Sequence, residues 1–108
     1  MKILSRLEEI VLLCIWRLQD NAYGITILDE VQKATDKTWL TGSIYASLGR
    51  LLRQGLVESI QGDPTPERGG RFKIFYRLTS EGRDALLEVQ KINASIWSEI
   101  PNLRRPGR

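Results

Sequence analysis

A chain of 108 residues, of which 42% are apolar and 27% charged, has the composition of one folded globular domain and not that of a disordered protein. It contains no histidine and a single cysteine, which excludes an intramolecular disulfide, a histidine-based catalytic triad and most zinc sites. The net charge is +3, and its basic excess lies in positions 41–80, which carry six basic and three acidic residues. Such an excess indicates either a surface for a polyanion or an ordinary solvated face.

The apolar segments of the chain are short. The longest uninterrupted run, from Ile10 to Trp16, is far below the roughly 20 residues that a membrane-spanning helix requires, and the N-terminus lacks the cleavage pattern of a signal peptide. Cys14 lies inside this run and is interpreted as a small buried hydrophobe. We therefore expect a cytoplasmic protein that has no membrane partner and holds no metal or other cofactor.

The first predicted helix runs from Arg6 to Leu18. Ser5 followed by Glu8 has the spacing of a capping box, and apolar residues then recur at helical intervals. The remaining faces of this helix are apolar as well, at Leu12, Leu13, Ile15 and Trp16. A helix that is apolar nearly all round must be covered on more than one side, and in so short a chain we expect the second cover to be another subunit.

Two further helices are predicted next. The second ends near Thr35, and Trp39 with Leu40 is predicted to form a very short strand. Thr41 is predicted to cap a third helix, which ends before Gly55. The apolar face of the third helix consists of Ile44, Leu48, Leu51 and Leu52.

Beyond the third helix the apolar spacing approaches two, which indicates strands. The segments 56–61 and 71–78 are predicted to form a hairpin with a long tip that contains glycine and proline. Thr79 then caps a last helix, whose apolar residues have the spacing of a helix that pairs with another helix. These residues are Ala85, Val89, Ile92 and Ile96.

This order of elements predicts a mainly α (α+β) fold, a winged helix-turn-helix with a two-stranded wing and a C-terminal dimerisation helix. We expect a DNA-binding domain over residues 1–78, the dimerisation helix over 79–100 and a flexible tail over 101–108. The outer side of the third helix is predicted to be small and polar, which allows close approach to the floor of a major groove. Its residues are Gly42, Ser43, Ala46, Ser47, Arg50 and Gln54. The alternative is an ordinary solvated helix face.

The hairpin tip is the second candidate for contact with nucleic acid. Arg68, Arg71 and Lys73 cluster around Gly69 and Gly70, so a sharply bending turn presents cations to a sugar-phosphate backbone or to a minor groove. The double glycine is explained equally by the backbone conformation of a turn.

Across nearly its whole length the sequence resembles the PadR family of bacterial transcriptional regulators. The matching segments, in chain order, are LEEIVLLCIW, DNAYGITI, GSIYASLGRLLRQGLV and PTPERGGRFKIFYRLTSEG, followed by the last helix. The resemblance implies a sequence-specific DNA-binding regulator that is not an enzyme, usually a repressor, bound to an inverted-repeat operator on double-stranded DNA. Helix face and resemblance together predict DNA contacts at Thr41, Gly42, Ser43, Tyr45, Ser47, Arg50, Arg68, Gly69, Gly70, Arg71 and Lys73. Gly49 departs from the family pattern, in which an acidic side chain is common.

The resemblance is to the short form of the family, in which a single C-terminal helix makes a homodimer. It implies a dimer interface formed by Leu12, Ile15, Trp16, Ala85, Val89, Ile92 and Ile96. Some short-form members resemble drug sensors, and Trp16 and Trp97 offer large stacking faces for a small planar aromatic effector. Packing in the core or the interface explains both tryptophans as well.

Two other functions are compatible with parts of the sequence. A winged-helix module that binds a protein instead of DNA would place the basic wing against an acidic partner. An enzyme would need chemistry that this chain lacks, because it has no histidine and no phosphate-cradling glycine loop, and because Cys14 has apolar neighbours.

Overall fold

The computed structural model describes residues 3–64 and 72–104. Three helices come first, followed by a two-stranded antiparallel sheet and a last helix, which confirms the predicted winged helix-turn-helix architecture. The elements are α1 (Arg6–Leu18), a 3₁₀ turn (Gln19–Asn21), α2 (Gly24–Thr35), α3 (Thr41–Arg53), β1 (Val57–Pro64), β2 (Phe72–Leu78) and α4 (Ser80–Trp97). Within these described ranges, no helix combines the length and the hydropathy needed to cross a bilayer.

The start of α1 is fixed by a reciprocal pair of hydrogen bonds. The Ser5 Oγ accepts from the Glu8 backbone N–H at 3.1 Å, and the Glu8 Oε1 accepts from the Ser5 N–H at 2.9 Å. This is the predicted capping box, which satisfies two N–H groups that an uncapped helix leaves without partners. The helix ends at Gln19, whose φ of 53° cannot continue an α-helix.

The core of the protein is built around α1. Val11, Leu12 and Ile15 are at most 1% exposed, and the inner faces of α2 and α3 close over them. The residues contributed by those two faces are Ile27, Val31, Ile44, Leu48 and Leu51. Burial of each large aliphatic side chain contributes on the order of 2 kcal/mol relative to exposure.

This core corrects part of the predicted dimer interface. The prediction places Leu12 and Ile15 against a second subunit, but they are 0% and 1% exposed within a single chain. The physical reason is that α1 is covered inside the protomer by α2, α3, β2 and α4. The second cover that an all-round apolar helix requires is therefore supplied largely by the same chain.

The predicted strand at Trp39 and Leu40 is absent from the described residues, because both are held by helix ends. The Trp39 backbone N–H donates to the Gln32 Oε1 at 3.0 Å, and its indole N–H donates to the Thr35 Oγ1 at 2.9 Å. Leu40, not Thr41, is the N-cap of α3, and no side chain caps this helix.

The wing is anchored to the connection between α1 and α2. The register of β1 and β2 runs from Val57 opposite Leu78 to Gln61 opposite Ile74, and an irregularity follows before Pro64. The Tyr76 N–H donates to the Ala22 carbonyl at 2.8 Å. Tyr23 forms an isolated antiparallel β-bridge with Phe75, so the segment before α2 pairs with β2. This pairing of residues 22 and 23 with β2 was not predicted from the sequence.

The first turn of α4 packs directly on the backbone between α3 and β1. The Thr79 hydroxyl caps the helix by accepting from the Gly82 N–H at 3.0 Å, and it donates to the Gly55 carbonyl at 2.7 Å. A Cβ at Gly82 would lie 2.0 Å from the Leu56 carbonyl oxygen, a backbone atom that cannot move aside. Glycine at this position is therefore required for the docking of α4.

We predict opposite effects on stability for alanine at two helical glycines. Gly82→Ala is expected to lower the free energy of unfolding by about 2 kcal/mol or more, because its methyl group overlaps the Leu56 carbonyl. Gly49→Ala is the matched control on α3, where the nearest atom to the new Cβ is the flexible Arg53 Nη1 at 3.4 Å. It is expected to raise the free energy of unfolding by up to about 1 kcal/mol, since alanine favours a helix. Urea unfolding measures both, and equal effects would contradict the packing described.

Candidate nucleic-acid interface

One side of α3 faces the core and the opposite side faces solvent. Ile44, Leu48 and Leu51 are buried against α1 and α2. Because a helix advances about 100° per residue, the positions opposite these three fall on the solvent side. The residues on or beside the solvent side are Thr41, Gly42, Tyr45, Ala46, Gly49, Arg50, Leu52 and Arg53. Leu52, which was predicted on the apolar face, is 36% exposed. The predicted residues Thr41, Gly42, Tyr45 and Arg50 are therefore all exposed.

Ser47 lies on the opposite side from the one predicted. It is 0% exposed, and its hydroxyl accepts a hydrogen bond from the Arg50 Nη2 at 3.0 Å. The reason is its position one turn after Ile44 and one turn before Leu51, which puts it within the buried stripe. The spacing of the apolar residues already contained this information. Ser43, at the border of the stripe, is half-buried.

Gln54 was also predicted on the outer side of α3, but it does not lie there. It is half-buried and lines a groove beside α4, together with Leu56, Ala85 and Val89. Its position after the last helical residue of α3 turns it toward the fourth helix, and sequence spacing alone did not indicate this.

Arg50 and Arg53 have different surroundings although they lie on the same helix. The Arg50 Nε is 3.6 Å from the Glu8 Oε2, so this guanidinium is paired with an acid of α1. Arg53 has no ion pair with any of the described residues and lies near the middle of the solvent side. Arg53 is not among the predicted DNA-contacting residues. Its position one helical turn after Gly49 already indicated that it lies on the solvent side.

Tyr45 joins α3 to the start of α2. A Cβ at Gly24 would lie 1.9 Å from the Tyr45 hydroxyl oxygen, so the ring rests directly on the first turn of α2. Tyr45 is nevertheless 47% exposed. Burial raises the pKa of the nearby Tyr76, with a smaller contribution from Tyr45. The Tyr76 hydroxyl therefore stays protonated at neutral pH and can donate a hydrogen bond.

Lys73 is the one predicted wing contact that falls within the described residues. Its ammonium group lies 4.4 Å from the centre of the Tyr23 ring, and the Tyr23 ring meets Phe75 edge to face at 5.5 Å between centroids. These contacts hold Lys73 at the base of the wing, in a shallow groove that also includes Tyr45 and Gly24. Lys73 and the exposed residues of α3 thus lie on adjoining parts of one surface. The other predicted wing contacts, Arg68, Gly69, Gly70 and Arg71, lie outside the described residues.

A second exposed surface lies between α1 and α4. Leu13, Trp16 and Leu87 are 43%, 49% and 61% exposed and line an open groove of about 640 Å³. We call this surface, with the neighbouring Leu86 and Ala94, the α1/α4 face. Of the predicted interface residues, Trp16 belongs to this face, and Leu13 takes the place expected for Leu12.

The remaining predicted interface residues lie elsewhere on α4. Ala85, Val89 and Ile92 line the separate groove beside Ile3 and Leu4. Ala85 and Val89 are half-buried and pack against the core of their own chain. Ile96 and Trp97 are more than half exposed near the end of the helix. Trp97 does not line the groove that contains Trp16, so one protomer does not bring the two tryptophans into a common cavity.

Cys14 is not placed for nucleophilic chemistry. It is 2% exposed, and burial, with a smaller contribution from the Glu30 carboxylate, raises the pKa of its thiol to about 11. A thiol is nucleophilic only as the thiolate, which this environment disfavours. Within the described part of the chain, no group of acidic or cysteine side chains is arranged to hold a metal ion.

We predict that Cys14 reacts slowly in the folded protein. At pH 8, alkylation by iodoacetamide is expected to be at least about a hundredfold slower than in the urea-unfolded chain, because the raised pKa leaves little thiolate. The rate should increase with pH toward about 11. Mass spectrometry of timed samples measures the rate, and equal rates in the folded and unfolded chains would contradict the burial of Cys14.

Comparison with known proteins agrees with the architecture. The family model described as "Transcriptional regulator PadR-like family" matches residues 11–88. The chain is similar to a PadR-like transcriptional regulator from Bacillus cereus, at 23% identity and a TM-score of 0.74, with 94% of this chain and 93% of that chain covered. It is also similar to RosR from H. salinarum, at 24% identity and a TM-score of 0.73, over 91% of this chain and 81% of that one.

A PadR family transcription regulator from Clostridium difficile matches at 24% identity and a TM-score of 0.62, with 85% of this chain and 91% of that chain covered. No curated protein matches the chain in the sequence comparison. At these identities the solved structures establish the fold, whereas the family model spans most of the chain. On that match the chain belongs to the PadR-like family of transcriptional regulators, whose members are not enzymes.

Proposed function

We propose that this PadR-like regulator binds double-stranded DNA as a homodimer, with α3 in the major groove and the base of the wing at the adjoining backbone. The observation that carries the proposal is the solvent side of α3. Gly42, Ala46 and Gly49 give it a low profile, and Arg50 and Arg53 place cations beside it. Small residues allow the helix backbone to approach base edges, and arginine binds both guanine and phosphate.

The wing extends the same surface. Lys73 is held over Tyr23, and Tyr45 of α3 lines the same groove as Lys73. A lysine near the edge of the groove neutralises phosphate charge without reading sequence. We therefore assign backbone contacts to Lys73 and Tyr45, and base contacts to the other exposed residues of α3. The basic residues of the wing tip, Arg68 and Arg71, remain predicted contacts.

Dimerisation is proposed through the α1/α4 face. Its apolar side chains are exposed in a single chain, and Ile96, Trp97 and Leu103 are further exposed apolar residues near and beyond the end of α4. An exposed apolar surface that lines an open groove marks a site of association. A two-fold dimer places two recognition helices about one turn of B-DNA apart, near 34 Å, so an inverted repeat is the expected operator.

Repression is expected where the operator overlaps a promoter. A planar aromatic effector held by both Trp16 and Trp97 would require a cavity completed by a second copy, since Trp97 does not line the groove that contains Trp16 in a single chain. The effector therefore depends on the dimer.

The alternative is a winged-helix module that binds an acidic protein. DNA binding is distinguished by its salt dependence, because each neutralised phosphate changes the slope of log K against log salt concentration by about −0.9. Binding of a random-sequence duplex that does not weaken with salt would contradict the proposal.

We predict that Arg53→Ala weakens binding to a random-sequence duplex and makes this slope shallower by about 0.9 for each protomer that contacts DNA. Arg53 is expected to behave in this way because it lies on the solvent side of α3 without an ion pair among the described residues. Lys91→Ala removes the same charge from an exposed position on α4 and is the matched control. Fluorescence anisotropy over a KCl series measures the affinity and the slope for both variants. Equal slopes for Arg53→Ala and Lys91→Ala would contradict a contact between α3 and DNA.

We predict that Leu87→Arg weakens the dimer at least about tenfold, because each copy would place a charge in apolar surroundings. Leu40→Arg is the control, since Leu40 is 79% exposed but lies outside α1 and α4. Sedimentation equilibrium gives the dissociation constants. An unchanged dimer for Leu87→Arg would place the interface elsewhere on the molecule.

A further inference from the structure

The capping residue of α1 also contacts the candidate recognition helix. One carboxylate oxygen of Glu8, Oε1, accepts from the Ser5 N–H at 2.9 Å, and the other, Oε2, lies 3.6 Å from the Arg50 Nε. Arg50 additionally donates to the Ser47 hydroxyl at 3.0 Å. Glu8 therefore has two partners, one that begins α1 and one that belongs to α3.

Burial makes this contact difficult to break. The Glu8 residue is 6% exposed, whereas the Arg50 side chain is 44% exposed. A buried carboxylate that loses its cation is left without compensation for its lost hydration, which is strongly unfavourable. Arg50 is the cation paired with Glu8 among the described residues. Moving the Arg50 guanidinium toward a DNA phosphate would leave that carboxylate unpaired.

The neighbouring arginine provides the comparison. Arg53 has the same charge, lies on the same helix and has no acidic partner within the described ranges. Its charge is available to any phosphate that approaches. The charge of Arg50 is already offset by the Glu8 carboxylate, and its Nη2 group already donates to the Ser47 hydroxyl. A guanidinium has further N–H groups, which can still donate to an acceptor on the DNA.

We propose that Glu8 is a specificity-determining residue that competes with DNA phosphate for Arg50. The competition reduces binding to arbitrary DNA, because a phosphate contact by Arg50 must replace the contact with Glu8. A site that presents an acceptor to the free edge of the guanidinium is bound without that loss. Ser47, buried and bonded to Arg50, is a positioning residue in this arrangement. The inference rests on the proposed placement of α3 at DNA.

The test compares Glu8→Gln with Glu9→Gln on a random-sequence duplex of about 20 base pairs over a KCl series. Glutamine at position 8 keeps an oxygen for the Ser5 N–H and removes the charge that faces Arg50. Glu9 is the matched control, because it lies next in the same turn and pairs with Arg6 at 2.8 Å instead. Glu8→Gln is expected to bind several-fold more tightly at about 50 mM KCl, with a slope steeper by about 0.9 per protomer. Glu9→Gln is expected to resemble the unmodified protein.

Arginine variants provide a second, independent comparison. Arg50→Ala is expected to change the slope much less than Arg53→Ala, and adding Glu8→Gln to Arg50→Ala is expected to give no tighter binding. Equal slope changes for the two arginine variants would overturn the proposal. Equal effects of Glu8→Gln and Glu9→Gln would also overturn it, because they would show that only the change in net charge alters DNA binding.

A measurement without DNA separates this inference from the proposed function. Exchange of the Arg50 Nε proton, followed by NMR, is expected to be faster in Glu8→Gln than in the unmodified protein. An unchanged exchange rate would overturn the contact itself. Failure of the unmodified protein to bind any duplex in a salt-dependent manner would instead overturn the placement of α3 at DNA.

Discussion

The burial of α1 is the constraint on which the rest of the structure depends. Val11, Leu12 and Ile15 occupy the centre of the core, and α2, α3, β2 and α4 all contact this helix. Since one helix provides the surface on which the others pack, each of them must turn an apolar face inward. For α3 that requirement fixes which side remains outside, and the outer side is the one with glycine, alanine and arginine. The candidate DNA surface is thus a consequence of core packing.

The wing joins the core through Val57 and Leu78, and it is held at its base by further contacts outside the core. Its base is tied to the segment before α2 by the hydrogen bond from Tyr76 to Ala22, and the Tyr23 ring connects Lys73 with Phe75. These contacts join two separate parts of the chain, residues 22–23 and 73–76. They hold the base of the hairpin beside the start of α2, on which Tyr45 of α3 also rests, so the two parts of the candidate surface adjoin. Preorganisation of this kind reduces the entropy lost on binding.

The fourth helix connects the two proposed surfaces. It spans 18 residues, which corresponds to about 27 Å, and it packs against the rest of the chain mainly through its first half. Gly82 allows the close contact that fixes its direction, and the Thr79 hydroxyl bonds to both sides of the junction. The orientation of α4 relative to α3 therefore depends on a small number of atoms near residues 55 and 56. In a dimer through the α1/α4 face, this junction would set the separation of the two recognition helices.

Most of the secondary structure was predictable, because it depends on local patterns. The bounds of α1 agree with the Ser5 and Glu8 capping box, and the change of apolar period marked the two strands. The strand expected at Trp39 and Leu40 was wrong because side-chain hydrogen bonds to α2 outweigh the β propensity of a tryptophan. A short segment forms a strand only where a partner edge is available, and local sequence does not report on that.

The sequence by itself determined the family, the order of the elements and the helix that carries the candidate site, because repeated spacing and turn residues are local properties. Only the tertiary structure decided that Glu8 reaches Arg50 and that Leu12 and Ile15 face their own core. Each of these depends on the angle at which two helices meet. That angle follows from the packing of many side chains at once, and residues far apart in the chain become neighbours only when all of them are in place.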